Sequence, residues 1–342
     1  MTTTLVRQAV EGYRYAILRL SPRTQEEYLS KLSVFVSWCE EERLSLGDLK
    51  QATTRRFLEM LRTKVNDLTG RPICSSTAHG YMRVLKAFLS WLSREEDYEQ
   101  IVSSRLASRM EMPKVEQGVI EVFSAEQLQA LLAACGRESY QRLVTRDRAI
   151  LSVLVDTGIR ASELCGLTLD NAFLDPNDAH LKVFGKGKKW REVALGRRSL
   201  TELRRYITRY RHGGKDEQHV FLNRYGAPLT VWGLDQLIDR LGEWASITGV
   251  RCSPHTFRHT YAVLYLLGGG DIYSLMRLMG HTSVRVTERY LRAMQARDAR
   301  RGTSVLDQLS LRAVSMHTAW QTRQDGHYIV QLEWSNQANA CI

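Results

Sequence analysis

Residues 181–195, Leu181-Lys182-Val183-Phe184-Gly185-Lys186-Gly187-Lys188-Lys189-Trp190-Arg191-Glu192-Val193-Ala194-Leu195, decide how the second half of the chain is read. Apolar and β-branched residues on two arms, joined by a glycine- and lysine-rich turn, predict a short hairpin. On either side the apolar residues recur at helical spacing, so the expected fold is mainly α with a small β-sheet.

Upstream, Ser124 with Gln127 three residues on forms a capping box that opens a helix. Between Ala107 and Phe123 the periodicity fades around Pro113 and Gly118, which marks a domain boundary. Before it, Tyr28, Leu32, Phe35, Val36 and Cys39 stripe a helix from Pro22 to Glu42, with Pro22 in its first turn. Thr53–Thr63 is helical in pattern, and Met82, Leu85, Leu89 and Leu92 form a further stripe after a turn region at Pro72–Ser76. A chain of 342 residues exceeds the prior of about 100 to 200 residues per domain. The expected division is a helical domain over 1–107, a linker over 108–123, a larger domain over 124–312 and a tail over 313–342 with no assigned structure.

Composition narrows the partners. With 48 Lys and Arg against 37 Asp and Glu, the formal charge of +11 favours a polyanion. No apolar run reaches the roughly 18 residues that a membrane span requires. Met1-Thr2-Thr3-Thr4 lacks the order of a secretory signal, so a cytoplasmic protein is expected. Cys39, Cys74, Cys135, Cys165, Cys252 and Cys341 are scattered without a Cys-x-x-Cys pair, which suggests neither a zinc ribbon nor a disulfide framework. No metal and no cofactor are expected.

Five patches collect the residue types that phosphodiester strand transfer demands: Thr157-Gly158-Ile159-Arg160-Ala161-Ser162-Glu163-Leu164, the turn at Lys186, His255-Thr256-Phe257-Arg258-His259-Thr260, Leu278-Met279-Gly280-His281, and Tyr290. Attack on a phosphodiester gathers negative charge on the non-bridging oxygens, and fixed guanidinium forks match those oxygens. A tyrosine hydroxyl, with a pKa of about 10, deprotonates far more readily than serine and can hold a strand end covalently. A departing 5′ alkoxide needs an acid, which a lysine at the tip of a β-turn can supply.

In order and spacing these patches resemble the tyrosine recombinase family, which includes phage integrases, Xer recombinases and transposon resolvases. The resemblance runs from about residue 7 to about residue 310. It implies a two-domain DNA clamp, with a helical core-binding domain ahead of the catalytic domain. It implies an enzyme that cuts and rejoins DNA through a 3′-phosphotyrosine, in integration, excision or resolution of a mobile element or replicon dimer. By resemblance Arg160 and Arg258 clamp the phosphate, Tyr290 is the nucleophile, His255 serves proton transfer, and His281 hydrogen-bonds the phosphate oxygens. Lys186, the first lysine after Gly185, is the best match for the acid, with Lys188 and Lys189 as alternatives in the same turn. Glu163 is expected to buttress the clamp. The implied partners are double-stranded DNA with an inverted-repeat core site, a homo-tetramer with two protomers per site, and an accessory or directionality protein. Candidate DNA contacts are Arg55, Arg56, Arg83 and Lys86 in the first part and Lys188, Lys189 and Arg191 in the second. An apolar segment at Val305, Leu306, Leu309 and Leu311 is expected to dock on a neighbouring subunit.

Two other classes compete: a type IB topoisomerase, which shares the same chemistry without exchanging partners, and a DNA-binding regulator that has lost catalysis. His255 and His259 stand four apart like a pair of zinc ligands, but Thr256 occupies the place of the general-base glutamate in a zincin. His259 is therefore expected to pack or hydrogen-bond locally, and Gly268-Gly269-Gly270 to end a helix.

Overall fold

The computed structural model describes residues 4–65, 70, 72–115, 120–185, 189–214, 217–281, 283–298, 320–322 and 328–330. The chain forms two compact units, Met1–Gly118 and Val119–Ile342. Among the described residues, no helix is long and apolar enough to cross a membrane.

The first unit is all helical: α1 Thr4–Ala16, α2 Pro22–Glu41, α3 Gln51–Thr63, α4 Ser75–Leu92 and α5 Ser104–Arg109. Ser21 caps α2 by accepting the backbone N–H of Thr24, and Pro22 sits at the first helical position, where its missing N–H costs nothing. The stripe Leu32, Phe35, Val36 and Cys39 is buried as its spacing predicts. It meets Phe57 of α3 and Met82, Leu85 and Leu89 of α4 in one core. Phe35 and Phe57 meet edge to face with centroids 5.0 Å apart. At the expected linker, Met110 and Met112 pack into this core, whereas Phe123 packs into that of the second unit.

The second unit carries α6 Ala125–Ala134, α7 Gln141–Thr157, α8 Ala161–Cys165, α9 Arg197–Arg205, α10 Val231–Trp244, α11 Pro254–Leu267, α12 Ile272–Met279 and α13 Val284–Asp298. Ser124 and Gln127 make the expected capping box at α6: the Gln127 N–H donates to Ser124 Oγ at 3.2 Å, and the Ser124 N–H donates to Gln127 Oε1 at 2.9 Å. Three antiparallel strands, β1 Ala172–Phe173, β2 His180–Gly185 and β3 Lys189–Ala194, form a small sheet in the order β1-β2-β3. The anticipated hairpin is β2–β3, with Gly185 opposite Lys189 and Phe184 against Trp190. Leu181, Val183 and Val193 turn inward to a core built on α7, while Phe184 and Trp190 face out. Gly268–Gly270 ends α11 as expected, with Gly269 in the left-handed region at φ +86°.

In the tail, β4 Trp320–Thr322 pairs antiparallel with β5 Tyr328–Val330, within a stretch whose composition is β-rich. The apolar segment Val305–Leu311 lies outside the described residues, as do Lys186 and Lys188.

Candidate active site

Helices α11, α12 and α13 pack through Ala262, Val263, Leu266, Leu275, Met279 and Tyr290. This small cluster fixes where the end of α12 lies. α12 closes on Gly280, whose φ of +60° suits a residue without a Cβ, and its last carbonyls then point outward without helical partners. Three arginines from three other elements supply the missing donors. Arg191 of β3 donates from Nε to Leu278 O at 2.6 Å, Arg258 of α11 to Met279 O at 2.6 Å, and Arg160 ahead of α8 to Gly280 O at 3.0 Å. The negative end of a helix dipole attracts these cations, which otherwise repel one another.

Arg258 is anchored a second time. It donates to the carbonyl of Gly158 at 2.6 Å, at the left-handed cap of α7. A Cβ at Gly158 would stand 2.2 Å from the ring of Tyr261, so only glycine brings that carbonyl in. Burial and the nearby Arg160 charge lower the Arg258 pKa to about 10, which leaves it charged at neutral pH.

Glu163 faces both Arg160 and Arg191. Its carboxylate accepts from Arg160 Nη1 at 2.8 Å, from the Arg160 backbone N–H at 2.9 Å, and from both terminal nitrogens of Arg191 at 2.9 and 2.7 Å. Burial alone would raise the pKa of this carboxyl. The bonds from Arg191 and Arg160 outweigh it and hold the group at about 2. Glu163 thus bonds Arg191 as well as the expected Arg160.

Arg191 itself requires a correction. Offered as a DNA contact, its guanidinium is instead engaged at Nε and both terminal nitrogens, with 13% of the side chain exposed. In the β2–β3 register it stands opposite buried Val183, so it shares the inward face of the hairpin. Gly185 lies against this pair, where a Cβ would be 3.0 Å from Arg191 Nη1 and 3.2 Å from Glu163 Oε1. Gly185, at the end of β2, therefore stands beside Arg191 and Glu163, and Lys189 at the start of β3 is exposed.

Replacing Glu163 by Gln should show how much the pair contributes. A carboxyl whose folded pKa is depressed stabilises fully above its unfolded pKa and loses that contribution as the pH falls through the folded one. A drop from 4.5 to about 2 corresponds to roughly 3 kcal/mol. Thermal melts from pH 6 to pH 2.5 should show a steeper decline in the wild type than in Glu163→Gln, with the variant less stable at neutral pH.

His281 follows Gly280 directly. Arg258 Nη2 lies 3.0 Å from its Nε2, and because an arginine can only donate, Nε2 accepts. His281 Nδ1 then carries the proton and donates to Thr287 Oγ1 at 2.8 Å. Burial together with Arg258 and Arg160 lowers the His281 pKa to about 4, so the ring is neutral.

Tyr290 sits one turn beyond Thr287 on α13 and is 2% exposed. Its hydroxyl lies 2.9 Å from Nδ1 of His259. Burial raises the phenol pKa, against the opposing pull of Arg258, Arg289 and Arg160. His255 opens the same helix, is exposed, and stacks on His259 at 6.0 Å between centroids. Its pKa is lowered by partial desolvation of the ring where it packs on its neighbours, and by Arg258. Among the described residues, no group of three or more His, Cys, Asp or Glu side chains is arranged to hold a metal.

The structure thus gathers Arg160, Arg258, His281, Glu163 and Tyr290 and places His255 on the same helix as Arg258. Beside them stand Arg191, which the sequence places among the DNA contacts, and His259 and Thr287, which the sequence leaves out of the site. In the first unit, Arg55 lies 3.4 Å from Glu111 and Arg83 3.4 Å from Glu27, while Arg56 pairs with Glu42. These arginines remain more than half exposed, and Lys86 is half-buried.

Comparison with known proteins gives the family. Residues 121–297 match the model of the phage integrase family. Tyrosine recombinase XerC of Pelobacter propionicus is 31% identical over 275 residues, which cover 79% of this chain and 85% of the relative. Tyrosine recombinase XerD of Chlorobaculum tepidum is 29% identical over 279 residues, covering 79% and 86% respectively. In fold the chain is similar to XerH recombinase in a post-cleavage complex with palindromic difH substrate (TM-score 0.65, 18% identity, 82% of this chain and 80% of that one). It is equally similar to the Tn1549 transposon integrase in complex with transposon right end DNA (TM-score 0.65, 18% identity, 86% and 99%). With more than half its length matched by one family model and a relative above 30% identity matched over most of its own, this chain belongs to the phage integrase family of tyrosine recombinases.

Proposed function

We propose that this chain cuts and rejoins duplex DNA at specific sites, with Tyr290 attacking a phosphodiester held between Arg160 and Arg258. One observation carries the reading: both arginines and His281 converge on the end of α12 while Tyr290 packs against the same helix. A guanidinium has five N–H donors. Arg258 uses three on Gly158, Met279 and His281, and Arg160 uses two on Glu163 and Gly280, so each keeps donors for phosphate oxygens. Because carbonyls and Glu163 already fix both forks, little reorganisation is needed when charge builds on those oxygens.

In the reaction the Tyr290 oxygen bonds to phosphorus, the bond from phosphorus to the 5′ oxygen breaks, and that oxygen takes a proton from a lysine of the β2–β3 turn. Lys186 is the first candidate, with Lys188 and Lys189 beside it. The strand end stays on Tyr290 as a 3′-phosphotyrosine until a 5′ hydroxyl reverses the step, so no ATP is consumed. His281 accepts from Arg258 in the free protein. A turn of the imidazole away from Arg258, with the guanidinium still held by Gly158 and Met279, would let the ring donate to a phosphate oxygen, the role expected of it. His255, exposed beside Arg258, faces the same phosphate. The two XerC and XerD relatives and the DNA complexes of XerH and the Tn1549 integrase support DNA as substrate. We extend the reading to a core site of inverted repeats, a tetramer with two protomers per site, and an accessory protein that sets direction.

The test is strand exchange. Two differently labelled duplexes, drawn from the DNA flanking the gene, should yield recombinant strands on incubation with the protein. Relaxation of a supercoiled plasmid with no exchange between duplexes would overturn the reading in favour of a topoisomerase. Binding should also depend steeply on salt: if about 6 to 10 phosphates are contacted, affinity falls roughly 10³- to 10⁵-fold between 50 and 200 mM, and a flat response in a gel-shift titration would contradict it.

A further inference from the structure

Within that reading, we propose that His259, not His255, takes the proton from Tyr290 as the phenol attacks. The 2.9 Å contact between Nδ1 and the Tyr290 hydroxyl joins α11 to α13 and is partly buried. Tyr290 is 2% exposed, so water has little access to carry its proton away. Burial raises the phenol pKa, which means attack at neutral pH requires a base in direct contact. His259 is the ring that makes this contact, while the exposed His255 stacks on His259 with centroids 6.0 Å apart.

Electrostatics tie the base to the presence of substrate. The charged and titratable groups facing His259 are His255 and Arg258 on its own helix and Arg289 and Tyr290 on α13. Asp235 of α10 acts on His255, and Arg160 acts on Tyr290. Burial first, then Arg289, His255 and Arg258, lower the His259 pKa to about 4, so in the free protein it is neutral and a weak base. A phosphodiester between Arg160 and Arg258 offsets part of that positive field and raises the basicity of His259 when it is needed. The phenolic proton then passes to Nδ1 while the oxygen–phosphorus bond forms and the 5′ oxygen departs with its proton from the turn lysine. On religation the imidazolium returns its proton to the Tyr290 oxygen, and the cycle closes without a co-reactant.

For this step Nδ1 must carry a lone pair in the resting protein, with the tautomeric proton on Nε2. Nitrogen-15 NMR of the full chain, labelled on histidine and free of DNA, should show His259 unprotonated at Nδ1. A proton at Nδ1 would overturn the proposal, since the ring would then be donating to the phenol. The second arm measures covalent adduct on a nicked duplex carrying the site that the wild-type protein attacks. His259→Gln, which can hold the hydroxyl but cannot take its proton, should slow adduct formation about 100-fold or more at pH 7 and recover as the pH rises. His259→Phe should do the same, with DNA retention in a gel shift and the melting transition used to confirm that both variants fold. A wild-type rate and pH profile in His259→Gln would reduce the residue to a holding role and sink the proposal. If the wild-type protein forms no adduct on any duplex, strand transfer itself fails and the base assignment falls with it, whereas a wild-type adduct that His259→Gln forms equally fast defeats the base assignment alone.

Discussion

Tyr290→Phe should abolish covalent capture of DNA while leaving a folded, DNA-binding protein. The substitution removes one oxygen from a ring packed against Ala262, Val263, Leu275 and Met279, so the aromatic fill of that cluster persists. It also deletes one hydrogen bond, that to His259, which at the usual net value costs about 1 kcal/mol. Nothing in the arginine set depends on the hydroxyl, because Arg160, Arg191 and Arg258 are anchored by carbonyls and Glu163. The melting temperature should therefore fall by only a few degrees, and gel-shift affinity should hold within a factor of about two or three. Adduct formation should drop below detection. An adduct of undiminished yield in the Phe variant would place the nucleophile elsewhere.

Arg258 should show a different pattern, in which stability and chemistry fail together. Arg258→Ala leaves the carbonyls of Gly158 and Met279 without donors inside the protein, at about 1 to 3 kcal/mol for each unsatisfied group. It also removes the fork that lies beside His281, and loss of one donor to an anionic transition state typically costs about 10²- to 10³-fold in rate. Arg258→Lys separates the two effects. The ammonium keeps the charge, but a single point donor cannot bridge two carbonyls and grip a phosphate. The lysine variant should melt nearer to wild type than the alanine variant, yet still form adduct at least about 100-fold more slowly. Denaturant melts and single-turnover adduct assays on both variants check this, and a lysine variant with wild-type rate would contradict the clamp.

Much of this arrangement was legible in the sequence, and the misses have physical causes. The hairpin declared itself through alternation, because Leu181, Val183 and Val193 had to face one side. Arg191 follows the same rule: it precedes Val193 by two and therefore shares its inward face, although a charge next to a lysine turn suggests a surface contact. His259 suggests a metal pair with His255 in the sequence, since a spacing of four is visible along one helix. Its actual partner lies 31 residues away on α13, and no periodicity reports a contact set by the packing of three helices. Helix α1 went unresolved within the first helical unit, although Val6, Ala9, Val10 and Tyr13 carry a helical stripe. Glu163 was legible because its partner Arg160 is local, three residues back across the start of α8.

Mapping the covalent bond tests the central claim most directly. Wild-type protein incubated with duplexes tiled through the DNA beside the gene should yield a protease-sensitive adduct. After digestion, mass spectrometry should find the nucleotide on the peptide containing Tyr290, joined to a 3′ phosphate with a free 5′ hydroxyl on the opposite end of the break. A nucleotide on any other residue, or a link to a 5′ phosphate, would contradict the account.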